Sequence, residues 1–141
     1  MDKVEEITLT ARGKNMEQAF SNIVINLFSN IVNLELIEPK LTKTILIREK
    51  NLKKLLYQYI KKVYDLALTE AILINKVHNV KIENVNDDYL LTAVVEGEKL
   101  KQEHKLNNTI KMITDRNIII KEDKEGCNLQ INIIVEKKDE V

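Results

Sequence analysis

One proline and three glycines in 141 residues leave little room for a disordered linker. The glycines stand apart, at Gly13, Gly97 and Gly126, so they cannot build a glycine-rich phosphate loop. Cys127 is the only cysteine, which excludes an intramolecular disulfide and makes a reducing, cytoplasmic setting the expectation. With two histidines, His78 and His104, there is no CxxC pair and no HExxH helix to ligate zinc. Cys127 follows a hairpin glycine and reads as a small, partly buried residue opening the last strand, not as a nucleophile. Lys and Arg total 22 and Asp and Glu total 22, so bulk charge gives no reason to coat nucleic acid or anionic lipid. No run approaches the ~20 apolar residues of a membrane span. The opening MDKVEEITLT lacks the apolar core of a signal peptide. Enzymatic activity is not expected.

The composition that remains is an ordinary globular balance, 44% hydrophobic and 31% charged, sized for a single domain over residues 1–141. Ile7, Leu9 and Ala11 alternate with Thr8, Thr10 and Arg12, the period of a half-buried strand. Gly13 ends it and Asn15 can cap a helix. Apolar residues from Met16 to Ile31 recur at helical spacing, which predicts that helix over 15–34. Pro39 blocks continuation, and 41–47 reads as a strand. A second apolar set, from Leu52 through Leu55, Leu56, Tyr59, Ile60 and Val63, predicts a helix from Leu52 to Ile72. Asn86-Asp87-Asp88 separates strands at 77–85 and 89–97, a hairpin. Apolar segments at 108–113 and 117–122 come next, then a turn at 123–126 and a last alternating strand. The sum is α+β, with two long helices packed on one face of a largely antiparallel sheet.

Charge placement says more than net charge. From Lys40 to Lys62 eight basic residues face one acid, Glu49. Lys53, Lys54, Lys61 and Lys62 on the second helix are a solvated face or a contact for RNA phosphates or an acidic partner. Carboxylates are the remaining chemistry. Glu5 and Glu6 open the first strand, Asp115 comes after Thr114, and Glu136 ends the last strand. Were the first and last strands neighbours, these acids could gather at one rim and offer oxygen ligands to a hard cation.

Several of these segments together resemble the archease family. Its first strand carries a His-Thr-Ala-Asp-x-Gly motif leading to a Gly-Lys, and here Glu6-Ile7-Thr8-Leu9-Thr10-Ala11-Arg12-Gly13-Lys14 falls in that register. The family aspartate lands on Glu6, the residues before it are Lys3-Val4-Glu5, and the motif glycine is Thr8. Glu38-Pro39-Lys40 resembles the Glu-Pro segment after the first helix, and Thr69-Glu70 an acidic stretch ending the second. Gly97-Glu98 and His104 match the loop before a Lys-x-x-Thr-Tyr-His motif, of which Lys111 and Thr114 are kept and Tyr-His becomes Asp115-Arg116. Ile134 stands at the place of a metal-ligating aspartate, with Glu136 two positions on.

The resemblance implies a non-enzymatic accessory protein that activates a GTP-dependent RNA-splicing ligase in tRNA splicing or RNA repair. It further implies a divalent ion, calcium first, with Glu6, Asp115 and Glu136 as candidate ligands. His104, in itself an ordinary exposed loop histidine, and Lys111 would position the adjoining loop or contact the partner. The alternative is a divergent interaction module that has lost the metal site.

Overall fold

The computed structural model describes residues 3–137. The elements run β1 (Lys3–Gly13), α1 (Met16–Ser29), a 3₁₀ turn (Leu34–Leu36), β2 (Leu41–Glu49), α2 (Leu52–Thr69), β3 (Ile72–Val85), β4 (Asp88–Lys99), β5 (Asn108–Ile113), β6 (Ile119–Asp123) and β7 (Gly126–Lys137). This is the expected α+β architecture, with every strand pairing antiparallel. The strands divide into two sheets, one ordered β2-β4-β3 and the other built on β7. In the latter, β1 pairs along one edge of β7, while β5 and β6 share the other edge end to end.

Both helices begin where a side chain satisfies an orphan amide. Asn15 accepts from the Gln18 N–H at 2.8 Å, and Asn51 accepts from the Lys54 N–H at 2.9 Å. Helix α1 ends at Ser29, short of the expected 34, and the carbonyls just past its end are taken elsewhere. Asn108 Nδ2 donates to the Asn30 carbonyl and the Asn107 N–H to that of Ile31. Helix α2 ends at Thr69, where Ala71 takes a positive φ of 52° and Ile72 already opens β3. The run Ile72-Leu73-Ile74 continues an apolar period, but its burial belongs to a sheet. The β3–β4 hairpin has positive φ at both Asn86 and Asp87, the geometry that matches the right-handed strand twist.

The core fills the space between helices and sheets. Phe20, Ile23, Leu27 and Phe28 of α1 and Leu55, Leu56, Ile60 and Val63 of α2 are fully buried. They meet Leu9, Ile131, Ile133 and Val135 from one sheet and Ile45, Leu91, Ala93 and Val95 from the other, all in one cluster. Tyr59 stacks on Phe20 with ring centroids 5.8 Å apart. Its hydroxyl is buried without a hydrogen-bond partner among the described residues, and burial pushes the phenol above its ordinary value of 10.0. A buried unpaired hydroxyl costs stability, so Tyr59→Phe is expected to raise it by about 1 kcal/mol, read by urea unfolding.

Candidate functional site

Alternation places the acids. On β1 Glu6 and Thr8 are exposed while Leu9 and Ala11 are buried, so the even-numbered residues face outward. Glu6 lies opposite Ile134, and Val4 lies opposite Glu136, which makes Glu6 and Glu136 diagonal neighbours on one outer face. A bulge between Ile110 and Met112 sets Met112 across from Ile134 from the other side. Lys111 Nζ reaches Glu136 Oε2 at 2.8 Å.

Where β5 leaves β7, Thr114 fastens the chain. Its N–H and its hydroxyl both donate to the Asn132 carbonyl, at 3.0 and 2.9 Å, and the residue is buried. The bend after it carries Asp115, exposed, and Arg116. An Arg116 Nη2 lies 3.9 Å from Glu6 Oε1, and Asn132 Nδ2 donates to Glu6 Oε2 at 3.0 Å. Thr114, Asn132, Glu6 and Arg116 thus form one polar cluster, with the Lys111–Glu136 pair diagonally beside it.

These side chains are not gathered into a cage for a hard cation among the described residues. Calcium wants six to eight oxygens, whereas among the described residues no three His, Cys, Asp or Glu side chains gather to hold a metal ion. Glu6 and Glu136 are engaged by Asn132, Arg116 and Lys111, and Ile134 stands between them. Asp115 joins neither carboxylate in such a group. Exposed pairs of this kind add little stability, so their consequence is where they place charge.

A second cluster lies at the end of β4. The Glu98 side chain is 4% exposed and that of His104 is 5% exposed, so His104 is a buried anchor and not an ordinary exposed loop histidine. His104 Nδ1 accepts from the Lys101 N–H at 2.9 Å, which leaves the ring proton on Nε2, 3.2 Å from Glu98 Oε1. Glu98 also accepts from the Glu38 N–H at 3.1 Å and pairs with Lys101 at 3.3 Å and Lys40 at 3.9 Å. The Glu38 N–H, with help from Lys101 and His104, holds the Glu98 carboxyl below its usual 4.5 despite burial. The site therefore ties the 100–107 loop and the Glu38-Pro39-Lys40 segment to one carboxylate.

The arrangement matches known proteins over most of its length. The model of the Archease protein family (MTH1598/TM1083) matches residues 4–135. The chain belongs to the archease family. Protein archease of Thermococcus kodakarensis is 30% identical over 122 residues, covering 86% of this chain and 85% of its relative. Protein archease of Methanothermobacter thermautotrophicus is 28% identical over 104 residues, 74% of each chain. The solution structure of Methanobacterium thermoautotrophicum protein 1598 superposes with a TM-score of 0.74 at 21% identity, covering 94% of this chain and 97% of that one, a likeness of fold.

In this archease the segment Glu38-Pro39-Lys40 meets Gly97-Glu98, 60 residues on, and the nearby His104 at one carboxylate. Lys111 and Thr114 adjoin Glu6 through Glu136 and Asn132. Two residues of these clusters carry almost no signal in the sequence. Asn132 is visible only as an outward polar position on the last strand, and Glu98 only as half of a Gly-Glu pair. Cys127 is fully buried at the start of β7, and burial pushes its thiol above its ordinary value of 9.0. Lys53, Lys54, Lys61 and Lys62 are all exposed on α2. Among the described residues no helix is long and apolar enough to cross a membrane.

Proposed function

We propose that this archease is a non-catalytic accessory protein that activates a GTP-dependent RNA-splicing ligase. The observation that carries the reading is the family match over residues 4–135, in which the kept Lys111 and Thr114 sit on the same polar rim as Glu6. Lys111 on β5 and Arg116 in the bend after it are exposed cations, placed to meet an anionic group of a partner, and Glu6 and Glu136 hold them in position.

A second reading, an interaction module that works without a metal, is favoured by one observation: the two rim carboxylates already carry protein cations. Both readings are tested by stimulation of a purified ligase of this class, with and without chelation of the archease beforehand. The Glu6→Ala/Asp115→Ala double variant is expected to lose at least about tenfold of the stimulation if those carboxylates act on a metal. Stimulation unaffected by either treatment supports the metal-free module. A folded parent protein that stimulates no ligase rejects the ligase reading.

A further inference from the structure

Several strand edges in this fold carry side-chain bonds to their main chain. On β1, Asn22 Nδ2 donates to the Arg12 carbonyl and Asn26 Nδ2 to that of Thr10, both at 2.7 Å. On β3, Glu17 accepts from the Ile82 N–H at 2.9 Å, and the Ser21 hydroxyl donates to the Val77 carbonyl at 3.4 Å. On β5 the Tyr64 hydroxyl donates to the Ile110 carbonyl. Strand β2 is the long exception. It pairs with β4 alone, and no side chain of the described residues hydrogen-bonds to its main chain. An uncovered row of N–H and C=O groups is a template for another strand.

Beside that edge runs a groove of about 230 Å³ between β2 and α2, with Leu46, Ile47, Gln58, Lys61 and Lys62 in its walls. Leu46 is 62% exposed, a large apolar side chain left uncovered on an open edge. Lys54, Gln58, Lys61 and Lys62 recur at three- and four-residue spacing and share one helix face. Among the described residues Lys54, Lys61 and Lys62 carry no ion pair, whereas Lys43 and Arg48 on β2 are matched by Glu70 and Asp88.

We propose that this groove takes an extended, acidic polypeptide segment of a partner by strand addition to β2. Its main chain pairs with Leu41–Glu49, an apolar side chain covers Leu46, and its carboxylates meet Lys54, Lys61 and Lys62. A polypeptide fits better than RNA on two counts. Only another main chain complements the row of amides. No aromatic side chain lines the groove to stack a base. The surface is separate from the Glu6 rim and does not depend on ligase activation.

The probe is a fluorescein-labelled, nine-residue peptide alternating glutamate with valine and leucine, matched to the 9 residues of β2. Binding is read by anisotropy and by amide shifts in the full-length protein. Shifts are expected along 41–49 and 54–65. Affinity is expected to fall at least about tenfold in K54E/K61E/K62E and in L46D, both checked for an unchanged melting profile, and to weaken with salt. Two peptides N-methylated at alternate amides, one for each strand side, complete the test, and one of them is expected to lose binding. Equal binding of both, shifts centred elsewhere, or no binding at about 1 mM overturns the proposal. So does an RNA strand of about 12 nucleotides that displaces the peptide from the same lysines, which would make the stripe a nucleic-acid surface.

Discussion

Gly97→Ala is expected to destabilise this archease by about 3 kcal/mol, lowering the melting temperature by roughly 10 °C. Gly97 lies near the end of β4, the central strand of the β2-β4-β3 sheet, paired with Leu41 on one side and Ile74 on the other. A Cβ there would lie 1.9 Å from the Leu73 carbonyl oxygen and 2.9 Å from the Ile74 Cα. Both are backbone atoms, so no side-chain rotation relieves the clash. The strands must part where Leu73 and Ile74 are buried, beside the β3 bulge. The next residue is Glu98, so the loop anchored through it shifts too. Circular dichroism melting of the variant beside the parent checks this. A loss under about 2 °C would show that β3 yields without cost.

Glu98→Gln is expected to release the 100–107 loop while the sheets persist. The carboxylate collects the Glu38 N–H, His104 Nε2–H, Lys101 and Lys40. A neutral amide keeps the shape but loses the charge and turns a donor toward other donors. Amide exchange should quicken about tenfold or more across 100–107, with β7 unchanged. The pH dependence has a definite sign. The folded-state pKa lies below the ordinary 4.5, so the stabilisation is complete above that value and lost as pH falls through the folded one. Melting temperature measured from pH 7 to 3 should therefore fall less steeply in the variant. Parallel pH profiles for the two proteins would show that Glu98 contributes no such linkage.

The helices and most strands were legible because their signals are local. Asn15 caps its helix and the Asn86-Asp87 turn closes its hairpin, both as their residue types require. The misplaced boundaries share one cause. Ile72-Leu73-Ile74 extends a helical period and a buried strand equally well, and only packing against β4 chooses the strand. Asn30 and Ile31 could have continued α1, but residues 107 and 108 take their carbonyls.

The candidate site was less legible, because strand alternation says which face a residue takes and not what it meets there. It left the meeting of Glu6 and Glu136 conditional on their strands being neighbours, and gave no sign that Arg116, Asn132 and Lys111 would be their partners. For Glu98 alternation misleads. With Ala93, Val95 and Gly97 turned inward, the next residue should face solvent, but the 100–107 loop folds back and buries it.

The amino-acid sequence by itself determined the α+β class, both helix starts, the hairpin turn, the place of Cys127 at the opening of the last strand and the family, since each rests on periodicity, caps or short motifs within a few residues. Only the tertiary structure decided that the strands form two sheets, that β2 keeps an open edge, that His104 is an anchor and that the rim acids face cations. Those outcomes depend on side chains distant in sequence competing for the same carbonyls, carboxylates and buried volume.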